Sequence, residues 1–156
     1  MIQESGLVPF VRFFPHQAVN ETRVLTTWGH PGLPDDEYGL LEFYCPDPAC
    51  NCRRVLINVA GRAQGAFLAS ISYSFDRNQA LAGPFLDPLN PQSKYANTLL
   101  QLVVQVLADP AYAARLEAHY YQVKGAAADP AHRLLNGTAR NDRARKSRPR
   151  GEPRKG

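Results

Sequence analysis

Glu42-Phe43-Tyr44-Cys45-Pro46-Asp47-Pro48-Ala49-Cys50-Asn51-Cys52-Arg53-Arg54-Val55-Leu56-Ile57-Asn58-Val59 is the stretch that decides the fold. Two runs rich in aromatic and β-branched residues flank a loop too polar and too proline-rich to continue either. The stretch therefore predicts two strands and a connection. In the first strand, Glu37 to Tyr44, Leu41 and Phe43 share one face and Glu42 and Tyr44 the other. A solvated face accounts for Glu42 and Tyr44. In the second, Arg53 to Ala60, Val55, Ile57 and Val59 form one face, and Leu56 on the other suggests burial from both sides.

Outward from this centre the period-2 pattern recurs. Thr22 to Trp28 reads as a strand before the turn Gly29-His30-Pro31-Gly32-Leu33-Pro34. Phe67 to Phe75 reads as another, with Phe67, Ala69, Ile71, Tyr73 and Phe75 packed and the serines at 70, 72 and 74 on a wet face. Short turns between strands favour an antiparallel meander. Residues 1–20 are mixed, and Phe10, Phe13 and Phe14 are expected to pack on the domain edge.

The period then changes. Asn90-Pro91 and Asp109-Pro110 each pair a capping residue with a proline suited to a first helical position. Tyr95, Leu99, Leu102, Val103, Val106 and Leu107 mark one helical stripe; Tyr112, Leu116, His119, Tyr120 and Val123 mark a second, with Gly125 placed to end it. The expected fold is α+β: an antiparallel β-meander of three to four strands, two C-terminal helices on one face, and a metal knuckle at a hairpin tip. Residues 1–125 form the single domain in this reading. Residues 126–156, biased to Ala, Gly, Pro and Arg, form a flexible basic tail.

The 156 residues carry a net charge of +4, but its distribution matters more than its sum. From Ala139 onward eight Lys/Arg face only Asp142 and Glu152, which leaves residues 1–138 slightly acidic. A basic nucleic-acid face is thus absent from the domain. Arg140, Arg143, Arg145, Lys146, Arg148 and Arg150 could still neutralise phosphates, so a nucleic-acid-associated role through the tail is the first alternative function. No apolar run approaches the roughly 20 residues of a membrane helix, and no secretory signal is visible at the start, which makes cytoplasmic the default location.

All three cysteines fall in the loop, as C-x4-C-x-C. That spacing can turn three thiolates toward one point, which suits a tetrahedral ion with sulfur ligands. Pro46 and Pro48 stiffen the loop and reduce the entropy lost on closing it. Zinc is the expected cofactor, one structural ion, because it needs no redox partner and accepts mixed Cys/His shells. A strained C-x-C ring and an odd cysteine count argue against a disulfide. Iron–sulfur clusters normally take four cysteines. The set of ligands is Cys45, Cys50, Cys52 and, from the second helical stripe, His119; His16, Asp47 or water are the alternatives for the fourth. No zinc-deaminase, metalloprotease or nucleophile-elbow pattern is present. The reading is a zinc-stabilised module that binds another protein; a zinc-dependent hydrolase with an open coordination position is the other alternative.

Ala139-Arg140-Asn141-Asp142 resembles the lead-in of the SEC-C zinc motif, without that motif's cysteines. Glu42-Phe43-Tyr44-Cys45 through Arg53-Arg54-Val55-Leu56-Ile57-Asn58-Val59 is similar to a family of bacterial proteins that sometimes carry SEC-C tails. The resemblance implies zinc binding and no particular activity.

Overall fold

The computed structural model describes residues 6–131. Of the expected tail, residues 132–156, with the arginines from Arg140 onward, lie outside them. The chain forms β1 (Val8–Pro9), α1 (Phe10–Phe13), α2 (Pro15–Glu21), β2 (Val24–Thr27), β3 (Asp36–Tyr44), β4 (Arg54–Gly61), β5 (Ala66–Ser74), β6 (Phe85–Leu86), α3 (Ala96–Leu107) and α4 (Pro110–Ala128). The fold is α+β, with one antiparallel sheet covered on one face by helices.

β2 to β6 form the meander, each pairing antiparallel with the next, and β1 joins β3 beside β2. The sheet thus has six strands rather than three or four. The two extra strands are two-residue pieces, too short for any periodicity to announce. The helix layer is also larger than expected. Pro9 and Pro15 bracket the starts of α1 and α2, two short helices that add Phe10, Phe13 and Ala18 to the core.

Tyr38, Leu40, Glu42 and Tyr44 of β3 face the helices, in register with Val55, Ile57 and Val59 of β4 and Ala69, Ile71 and Tyr73 of β5. Leu99, Val103, Leu107, Leu116, Tyr120 and Val123 close on them from above. The solvated face expected for Glu42 and Tyr44 is therefore the buried one. Leu41 and Phe43 take the outer face, half-exposed.

The serine face of β5 is not wet either. β6 pairs with Ile71 and Ser72, and the Gln92 side chain extends that edge by bonding both the N–H and the C=O of Ser70 at 2.9 Å. Arg54 donates to Ser72 Oγ at 2.9 Å, and Ser70 and Ser74 are buried. Covering an edge in this way blocks pairing with another chain. A register shift at Val59/Ala60 puts Phe67 out of step with Ala69, and it is 48% exposed, edge-on to Phe43.

α3 begins at Ala96, five residues past Pro91, because Gln92 and Ser93 are used to bond the β5 backbone at Ser70 and Leu68. α4 begins where Asp109-Pro110 predicts, with the Asp109 carboxylate accepting the Ala111 N–H at 3.0 Å. Asp109→Ala is expected to cost about 1 kcal/mol in chemical denaturation, the usual loss for such a cap. An unchanged midpoint would show that the bond contributes nothing. Gly125 does not end the helix, which runs on to Ala128 and buries Ala126 and Ala127. The domain accordingly reaches past residue 125.

Candidate metal centre

The loop between β3 and β4 carries Cys45, Cys50 and Cys52, whose sulfur atoms all lie within 4.8 Å of one another. Tetrahedral zinc with Zn–S bonds near 2.3 Å needs sulfurs about 3.8 Å apart, so modest side-chain rotation brings the three to one ion. The three cysteines are free and half-exposed. They lie close enough together to hold a metal ion.

Local chemistry shapes the loop. Asp47 Oδ1 accepts the Ala49 N–H at 2.9 Å and Asp47 O accepts the Cys50 N–H at 3.1 Å, making a tight turn that folds Cys50 back toward Cys45. Arg53, directly after Cys52, adopts φ +52°, a left-handed conformation uncommon outside glycine. It turns the chain into β4, and the Arg53–Glu117 contact at 3.3 Å ties its side chain to α4.

α4 holds the loop at two points. Lys124 Nζ donates to Asp47 O at 2.6 Å, and Tyr120 Oη accepts the Arg53 N–H at 2.9 Å. Cys52 also acts on the Tyr120 hydroxyl, next to that bond. Burial, together with the charge of Cys52, pushes the Tyr120 phenol up to about 12, so it stays protonated and can donate to a thiolate. Tyr120 reads from sequence only as one more member of an apolar stripe. Its polar end could not be assigned without knowing that the loop passes beside it.

The structure does not bring His119 to the three sulfurs. Its Nδ1 lies 2.6 Å from Glu42 Oε1 and its Nε2 2.6 Å from Glu21 Oε1, so both ring nitrogens are engaged by carboxylates. The ring is buried and stacks on Phe10 with centroids 3.9 Å apart. Burial pulls its pKa down, but the bonds to Glu42 and Glu21 and their charges outweigh that and raise it above 6.5. The imidazolium then donates from both nitrogens. Tyr44 Oη completes the cluster, 2.8 Å from Glu42 Oε1.

Neither His16 nor Asp47 joins the three sulfurs. His16 is exposed on α2, and the Asp47 carboxylate caps its own turn. His30 accepts the Gly32 N–H in the turn before β3. Among the described residues, the cluster of possible ligands ends with the three cysteines. They border a cavity of about 240 Å³ whose other walls include Leu7, Phe43, Leu56 and Arg54.

No protein-family model, curated protein or solved structure matches the chain. No helix among the described residues is long and apolar enough to cross a membrane.

Proposed function

We propose that the chain is a zinc-binding interaction module, in which one zinc ion held by Cys45, Cys50 and Cys52 fixes the β3–β4 loop against α4. The convergence of the three sulfurs within 4.8 Å carries the reading. Its support is chemical as well as geometric. Three thiolates form a soft donor set, and zinc accepts such a set without needing a redox partner. A Tyr120 hydroxyl acting on Cys52 is the kind of outer contact that orients a ligand and tunes its basicity. Arg53 and Arg54 follow the last cysteine and offset the negative charge of the site. Because the sheet and helices have their own core, the metal orders a loop and does not have to create the fold.

Hydrogen exchange with and without a strong chelator tests this. Chelation is expected to deprotect the Cys50 and Arg53 amides, both hydrogen-bonded within or from the loop, while Ile57 and Val59 in β4 remain protected. Identical loop protection in both states would contradict the proposal. Tyr120→Phe supplies a second measure: it is expected to weaken zinc binding about 10- to 100-fold in a competition titration. Unchanged affinity would remove Tyr120 from the site.

A further inference from the structure

We infer that the fourth coordination position of the zinc is open and takes the sulfur of a small external thiol. The inference rests on the zinc reading above and adds to it a ligand class and a place where the ligand sits.

The first ground is the ligand count. Three protein ligands leave a tetrahedral ion one vertex short, the arrangement found where a metal meets water or substrate. Among the described residues nothing fills that vertex. Both ring nitrogens of His119 are engaged by Glu42 and Glu21, and Asp47 places no carboxylate oxygen in the cluster of the three sulfurs.

The second ground is space. The cavity of about 240 Å³ touches all three cysteines, which are each half-exposed. It is smaller than the roughly 300–1,000 Å³ common for drug-sized ligands, so it suits a small molecule. Leu7, Phe43 and Leu56 give it an apolar wall.

The third ground is donor chemistry. Three thiolates make a soft site, which matches sulfur better than a carboxylate or carbonyl oxygen. A fourth thiolate would add negative charge; Arg54 and Asp87 both stand on the cavity wall, and the Asp87 carboxylate already accepts the Leu89 N–H and the Asn90 side chain, which leaves the Arg54 charge to meet an anionic donor. Arg54 is itself held in place by Ser72, Gln79 and the Leu81 carbonyl. Binding is a ligand exchange with no redox change. The thiol gives its proton to solvent, its sulfur lone pair forms the bond to zinc, and a bound water leaves.

The test uses the full chain loaded with cobalt(II) in place of zinc. Thiolate-to-cobalt absorption at one ion per chain, lost in Cys50→Ser, checks the metal reading by itself. Benzyl mercaptan is then titrated, with imidazole and acetate in parallel. The expected result is a saturable rise of about one third in that absorption at one thiol per ion, as a fourth sulfur joins three, and a weaker response to the other two. Leu56→Trp, which fills the cavity without removing a ligand, is expected to retain cobalt and lower thiol affinity at least about tenfold. Cobalt absorption that no thiol alters would overturn the open position while leaving the metal site standing. So would an altered spectrum of the thiol-free protein in His16→Ala, or on replacing His132, the histidine outside the described residues, by alanine, because a nitrogen of the chain would then occupy the vertex. Tighter binding of imidazole or acetate than of the thiol would overturn the ligand class.

Discussion

Replacing His119 with alanine is expected to destabilise the chain by about 3–5 kcal/mol, because it leaves a buried carboxylate without its partner. Glu42 is 4% exposed, and its Oε2 has no hydrogen-bond partner among the described residues. With the imidazolium gone, Tyr44 alone faces the charge. The Phe10 ring also loses the surface it stacks on at 3.9 Å. For a domain of this size the loss lowers Tm by roughly 10 °C or more. Glu21→Gln is expected to cost much less, since Glu21 is 37% exposed and water can replace much of the bond. Replacing His119 and Glu42 together by leucine should recover much of the loss, as buried ion pairs often tolerate apolar substitution. A His119→Ala variant within 1 kcal/mol of wild type would refute the buried ion pair. The same variant is expected to keep its zinc, which separates this account from one in which His119 is a ligand.

The cluster also carries a pH signature. His119 is raised above 6.5, so its stabilising contribution is complete below that value and declines as pH rises through the higher folded value. Glu21 is lowered from 4.5, chiefly by its bond to His119 and then by Gln17; its contribution is complete above 4.5 and is lost as pH falls through the lower folded value. Both are therefore fully present only between about pH 4.5 and 6.5. Denaturation of wild type against His119→Gln from below pH 4.5 to well above 6.5 measures it. A stability difference that grows above pH 6.5 would carry the wrong sign.

The second large effect is expected at the cysteines. Changing any one of Cys45, Cys50 and Cys52 to serine should weaken zinc binding by more than about 100-fold, the upper end of what losing a mere outer contact costs. Removing a ligand takes away a direct bond and leaves two thiolates, too few for a stable site. The fold should survive, since Leu40, Ile57, Ile71, Leu99 and Leu116 are fully buried in a core that does not involve the metal. Far-ultraviolet circular dichroism is then unchanged while a competition titration shows the loss. Wild-type zinc affinity in all three variants would remove the site from the account. Collapse of the helical signal would show that the metal makes the fold instead of ordering one loop.

How far each of these features could be read from the chain depends on how local its cause is. Asp109-Pro110 starts α4 and the Tyr112–Val123 stripe is buried because cap and period are both written within a few residues. The cysteine cluster is local for the same reason, three cysteines in eight residues. The burial of His119 follows from the stripe, but its partners do not: Glu42 and Glu21 are 77 and 98 residues away. Read locally, Glu42 looks solvated and His119 looks like a spare ligand. Each satisfies the other, and only the packing of α4 on β3 shows it. The serines of β5 fail in the same way, since what covers them is Gln92 and Arg54. A pattern of side chains along one strand reports which residues differ, not what arrives from elsewhere to cover them.

The central claim is a metal ion on three sulfurs, and native mass spectrometry of the purified full chain tests it most directly. The account predicts the mass of one zinc per chain, lost when Cys45, Cys50 and Cys52 are all replaced by serine and kept in His119→Ala. A wild-type chain that carries no metal after purification with zinc present, or a triple variant that still carries one, would contradict it.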